Sequence, residues 1–198
     1  MSSRKTTPER LTAFSDGVFA VIITIMVLDL RPPAEATLRA LVPLWPTALS
    51  YVVSYLFIAI IWVNHHYLFR FTREATPQLI WWNFAHLFMI SLVPVTTIWM
   101  ASTRLAAAPV FTYALVFVLV EIAYIAFERT AFSQAKDTDI APKLKRTAIF
   151  RSYLALGLFC AATAIAFLSP QMGFALVCCV LLIYLNPRMP ALFIRSAQ

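Results

Sequence analysis

Few side chains in this sequence can do chemistry from an apolar setting. Asp16 lies in the run RLTAFSDGVFAVIITIMVLDL (10–30), which stays apolar from Gly17 to Leu28. Glu121 interrupts VFVLVEIAY, His65 and His66 occur in WVNHHY, and His86 closes WWNFAH. A carboxylate inside a hydrophobic helix is costly, so it marks function and requires a partner. Carboxylate and imidazole chains carry proton relays, which makes a proton-coupled transporter using Asp16, Glu121 and the histidines one reading. Neither inverted repeats nor paired Gly/Pro-broken helices accompany it. His65, His66 and His86 are also residue types that ligate metal or haem, but no HExxH spacing supports a metalloenzyme. Cys160, Cys178 and Cys179 fall in apolar runs with neither zinc spacing nor a disulfide framework, and read as small core residues. With 3 glycines there is no GxxxxGK or GxGxxG loop to cradle phosphate. The expectation is therefore no catalytic constellation, no resident metal and no cofactor.

The elements that position these residues are set by composition. Of 198 residues 61% are hydrophobic and 13% charged, with mean hydropathy +0.78. Soluble domains carry about 25% charged residues, so the chain reads as an all-α integral membrane protein. The length rule for bilayers divides it into about six spanning helices, at 12–30, 49–69, 79–101, 110–127, 148–168 and 172–185. They form a single transmembrane domain over 1–198. No small-residue cleavage site follows the first apolar run, so 12–30 is expected to stay in the mature chain. Pro32-Pro33 stops the first helix; Pro43, Pro46, Pro77 and Pro109 precede later ones, and Pro170 lies between the last two. Pro187 and Pro190 shorten the sixth, and Pro94 predicts a kink in the third.

Arg4, Lys5 and Arg10, then Arg70 and Arg73, then the cluster from Arg129 to Arg151, then Arg188 and Arg195 fall on one predicted side. The other side receives Arg31, Arg39 and Arg104. The positive-inside rule places both termini of this multi-pass chain in the cytoplasm. The net charge of +7 is thus topological and no nucleic-acid footprint. No tandem duplication is visible, so a symmetric pore requires several copies of the chain.

On the first helix, Val21, Thr24, Ile25 and Leu28 fall within an arc of roughly 100°. Gly17 lies one turn earlier and Phe14 beyond it, while Asp16 points about 140° away from Val21. Two readings compete for the stripe. Gly17 and Ala20 let another helix backbone approach, a common packing device in membranes. Alternatively, rings of aliphatic side chains from symmetric copies gate ions by dewetting, with Thr24 giving the stripe its only hydroxyl. Asp29, at the outer end, reads as an acidic ring concentrating cations at a mouth or as a helix-end carboxylate. Asp16, with Ser15 beside it, is expected in a polar network. Its candidate partners are Asn64, His65 and His66 on one helix and Trp81, Trp82, Asn83 and His86 on the next. Trp82 and Asn83 precede His86 by four and three residues and share its predicted face. Arg10 pairs with Asp16 or meets lipid phosphates.

The pattern RxxxFSD, here Arg10, Phe14, Ser15 and Asp16, continues through Gly17 and Thr24. It resembles the signature of the transmembrane protein 175 family, the lysosomal potassium channels and their prokaryotic relatives. WVNHHY in the second helix, the chain length and the six-helix reading extend the resemblance, whereas helices four to six agree only in hydrophobicity. The resemblance implies a homotetrameric, potassium-favouring cation channel with its first helix lining the pore. It places the narrowest point five residues after the motif Asp, at Val21, where the family usually carries Ile or Leu. The following layers are Thr24, Ile25 and Leu28, with selectivity associated partly with Thr24. It also implies that Arg10, Phe14, Ser15 and Asp16 join a network with Asn64, His65, His66, Trp82, Asn83 and His86. The expected partners are further copies of the chain, lipid, and potassium with other monovalent cations; potassium is the permeant ion, and the expected location is the plasma (inner) membrane of a prokaryote. With no TVGYG filter, selectivity must arise at side chains, where an aliphatic ring favours the ion that sheds water more easily.

Overall fold

The computed structural model describes residues 7–28, 30–136 and 139–184. Among these, seven α-helices follow one another: α1 (Pro8–Leu28), α2 (Trp45–Phe69), α3 (Pro77–Ser91), α4 (Val93–Ser102), α5 (Ala107–Gln134), α6 (Pro142–Ala166) and α7 (Pro170–Tyr184). A 3₁₀ helix at Leu38–Leu44 leads into α2. Proline opens α2, α3, α4 and α6, where its missing N–H would have had no helical partner. At α3, the Thr76 hydroxyl also caps the end by accepting from the Leu79 N–H at 3.3 Å.

Among the described residues, five stretches are long and apolar enough to cross a membrane: Pro8–Leu28, Leu38–Phe69, Pro77–Ser102, Ala107–Gln134 and Pro142–Ala166. The third contains the predicted kink, which is a full break. Pro94 has no N–H to donate to Ile90 O, and the helix ends at Leu92 before restarting as α4. The sixth predicted span is helical but short: the 15 residues of α7 reach about 22 Å, against a hydrocarbon core of about 30 Å. Its predicted last residue, Leu185, lies outside the described residues. Helices α5 and α6 begin before, and α5 ends beyond, the predicted limits because apolar runs mark only what lipid requires. Their polar turns (Glu128 to Gln134, Lys143 to Thr147) continue the same hydrogen-bond ladder.

Helix α5 is the centre of the subunit, packed by α3, α4, α6 and α7, while α1 lies against α2 and α3. Phe117 of α5 sits between Phe57 of α2 (4.5 Å between centroids) and Phe159 of α6 (5.3 Å). A chain of hydroxyls ties α5 to α2 and α4. Thr97 donates to Val93 O (2.7 Å), so Ser54 donates to Thr97 (2.7 Å) and Tyr113 donates to Ser54 (2.8 Å). Each buried hydroxyl in that chain is satisfied, as a dry interior requires.

Candidate functional site

The two edges of α1 differ sharply. Leu11, Ser15, Phe19, Ile22 and Met26, spaced by three or four residues, are buried against the subunit. Val21, Ile25 and Leu28 are 54%, 46% and 80% exposed, and Thr24 is exposed between them. The Thr24 hydroxyl donates to Val21 O at 2.9 Å, so the stripe presents an oxygen acceptor while its proton stays on the helix. The close-packing reading of Gly17 is not realised inside the subunit: a Cβ there would meet no atom within 4 Å. Instead, Gly17, Val21 and Ile25 line an open groove of about 700 Å3, whose other wall is Pro94, Val95 and Ile98 at the break between α3 and α4. Asp29 lies outside the described residues.

Residues predicted as one network divide into three groups. The first is buried. Ser15 donates to Leu11 O (2.9 Å) and accepts from Asn83 Nδ2 (3.1 Å), and Asn83 Oδ1 accepts from His65 Nε2 (2.6 Å). His86 stacks on His65 with centroids 5.9 Å apart and planes at 10°, and its Nδ1 donates to Val120 O at 3.2 Å. This chain joins α1, α2, α3 and α5.

The second group lies nearer the surface, with Asp16 half-buried on the flank of α1 that faces α2. Asp16 accepts from the Trp62 indole N–H at 2.8 Å, and Trp62 in turn packs on His66 at 5.6 Å. Trp62 is absent from the predicted partners. The available signal is helical spacing: Trp62 lies four residues before His66 and therefore on its face. Phe14 packs edge-to-face on Phe84 of α3 at 5.4 Å. Arg10 forms no ion pair with Asp16 among the described residues. Trp82, expected beside His86, is 38% exposed; Asn83 takes the inward position, and one residue is about 100° of rotation.

The third group was not anticipated as a group. Asn64 turns away from Asp16 and accepts from Arg151 Nη2 of α6 at 2.9 Å. The Arg151 guanidinium lies 4.7 Å over the Tyr184 ring, and the Tyr184 hydroxyl donates to Glu121 Oε1 at 3.4 Å. Asp16 and Glu121 therefore belong to separate polar groups. Among the described residues no three His, Cys, Asp or Glu come together to hold a metal ion, and His66 points away from the stacked His65 and His86.

A family model described as endosomal/lysosomal potassium channel TMEM175 matches residues 10–94, the stretch from the motif arginine to the α3–α4 break. The fold is similar to the crystal structure of a lysosomal potassium-selective channel TMEM175 homologue from Chamaesiphon minutus. The TM-score is 0.80 at 26% identity, covering 89% of this chain and 95% of that one. A potassium channel of a Chryseobacterium species is 34% identical over 183 residues, 91% of this chain and 94% of that protein. A potassium channel of Chamaesiphon minutus is 32% identical over 191 residues, 88% of this chain and 91% of that protein.

Proposed function

Because this chain belongs to the endosomal/lysosomal potassium channel TMEM175 family, a family of ion channels and not of enzymes, we propose that it conducts potassium in preference to sodium through a pore made by four copies of α1. At the coarser level it is a multi-pass membrane cation channel. The observation that carries the pore reading is the exposed aliphatic edge of a membrane-length helix whose opposite edge is locked to its own subunit. Ser15 and Asp16 fix the rotation of α1 from two directions, so Val21, Thr24, Ile25 and Leu28 are held outward for other copies to meet. Rings of those residues form a hydrophobic constriction, narrowest at Val21, which a potassium ion passes more readily because it gives up hydration water at lower cost than sodium. The termini lie in the cytoplasm, as the distribution of Lys and Arg supports, and the assembly sits in the plasma membrane of a prokaryote, in keeping with its bacterial relatives.

Planar-bilayer recording of the purified protein under opposed potassium and sodium gradients tests this. Currents should reverse near the potassium equilibrium potential. Val21→Ala and Leu28→Asn, which widen and wet the constriction, should each raise conductance several-fold. Unaltered currents in both variants would remove α1 as the pore wall.

A further inference from the structure

Glu121 and Glu128 lie two turns apart on α5 and are 7% and 1% exposed. From α6, buried Arg151 acts on both through its charge, though among the described residues it forms an ion pair with neither; both Glu128 oxygens lack a hydrogen-bond partner, and the Ser152 hydroxyl lies beside them. From α7 comes the Tyr184 hydroxyl, from α3 His86, and from α5 itself Tyr124. Arg129, next to Glu128 in sequence, is exposed and lies over the Tyr153 ring at 5.7 Å, turned outward. The interior thus sets two carboxyl groups against one guanidinium. An unbalanced ionised carboxylate in a dry interior costs several kcal/mol, so such a group gains a counter-charge or becomes neutral.

A cavity adjoins Glu121 and identifies what supplies the balance. It is bounded by Asn64, His86, Glu121 and Tyr184, with Phe57, Phe117 and Phe159 among its apolar walls, and its free space of about 20 Å3 is enough for one water. A dehydrated potassium ion needs a complete shell of oxygens, which these mostly apolar walls do not provide. A proton needs only an acceptor. His86, wholly buried, donates through Nδ1 to Val120 O, so its Nε2 carries the lone pair. That atom has no hydrogen-bond partner, and the ring lines the cavity.

We propose that each subunit holds one proton inside this cluster, shared between Glu121 and Glu128 opposite Arg151, with a single water bridging His86 Nε2 and the Glu121 carboxyl. The site is internal to the subunit and separate from the exposed edge of α1, so it does not depend on that edge lining a pore. At any moment one carboxyl is neutral and the other ionised, so the pair carries a single negative charge. Arg151 remains charged throughout.

Infrared spectroscopy of the full-length protein in lipid at neutral pH, in potassium buffer, counts protonated carboxyl groups through a C=O band that shifts in D2O. Wild type should show one per subunit. Glu121→Gln and Glu128→Gln should each abolish the band, because the remaining acid then pairs with Arg151 as a carboxylate. Arg151→Gln should double it, and Asp16→Asn should leave it unchanged. Absence of the band in wild type, or its full retention in both Glu→Gln variants, would overturn the proposal. So would a band that appears only when potassium is withdrawn, because a bound cation would then supply the balance.

Discussion

Ser15 and Asp16 are neighbours in sequence, and the helix turns them about 100° apart into unlike surroundings. Ser15 enters the buried chain to Asn83 and His65, while Asp16 takes the Trp62 indole on the half-buried flank facing α2. Asn83 is central to the first because it offers its amide to Ser15 and its carbonyl to His65. Asn83→Ala leaves the His65 Nε2–H without a partner, while Ser15 keeps its bond to Leu11 O; a buried unpaired polar group costs about 1–3 kcal/mol, and for pairs within a bilayer the lower end applies. Thermal unfolding of the purified protein should show a clearly lowered midpoint for Asn83→Ala and almost none for Trp82→Phe. Equal losses would mean that Trp82 holds the bundle as firmly as Asn83, against its exposed placement. For the second pair, Asp16→Ala and Trp62→Phe should be strongly non-additive in a double-mutant cycle, since either change removes the same bond. The polar residues themselves were legible in the sequence, because a carboxylate, an amide and imidazoles in apolar runs must find partners. Which partner each finds was not. Periodicity fixes an angle on one helix and leaves the rotation of the neighbouring helix open. Trp62 shows this: an indole in an apolar helix reads as hydrophobic surface, and only the position of α1 against α2 turns its N–H into the donor to Asp16.

At the scale of elements, two glycines separate packing inside a subunit from packing beyond it. Gly173 opens α7 against α6, and a Cβ there would stand 2.9 Å from Ala166 Cα and 3.0 Å from Ala162 O. Both are backbone atoms that cannot swing aside, so Gly173→Ala must push the helices apart. Overpacking of this kind costs about 1–3 kcal/mol. Gly17 has open space at the same test. Gly17→Ala should therefore leave the fold of the subunit intact and act, if at all, on contacts between copies. Thermal unfolding in detergent together with the elution volume of the assembly distinguishes the two. Loss of midpoint in Gly17→Ala with an unaltered assembly would show that α1 packs more tightly on its own subunit than the geometry here allows. The same pair marks what sequence reveals about elements. The apolar runs and their proline punctuation located every long helix, because the bilayer imposes a minimum length on each. Helix extensions beyond lipid and the break at Leu92 follow from backbone hydrogen bonding. Hydropathy does not register it.

Across the whole molecule, the polar end of the bundle is fastened by a clasp between distant loops. Gln134 Oε1, at the end of α5, accepts from the backbone N–H groups of Arg73 and Glu74, both at 2.9 Å. The Arg73 guanidinium donates to Asp139 Oδ2 at 2.7 Å, and the Lys136 N–H donates to the same oxygen at 2.8 Å. In sequence, Arg73 and Lys136 are simply positive charges on one predicted side. The join of Arg73 to Gln134 and Asp139, 61 and 66 positions away, leaves no periodic trace, so the clasp was beyond the reach of patterning. The Lys136 N–H first, and then the Arg73 guanidinium, hold the Asp139 carboxyl below its ordinary range. The sign of the pH effect follows. A carboxyl whose folded value is depressed contributes fully above its unfolded value, near 3.9, and loses that contribution only as pH falls through the lower folded value. The clasp should therefore be constant from pH 8 to pH 5 and open only in stronger acid. High salt weakens it at any pH, because both partners are exposed. Asp139→Asn should reproduce the acid state at neutral pH, and Gln134→Ala should release the other half independently. Amide hydrogen exchange, corrected for intrinsic rates, reads both: Lys136 should exchange faster in the first variant, and Arg73 and Glu74 in the second. Exchange at Lys136 that rises in the wild type already at pH 6 would show that a group other than Asp139 controls this end of the subunit.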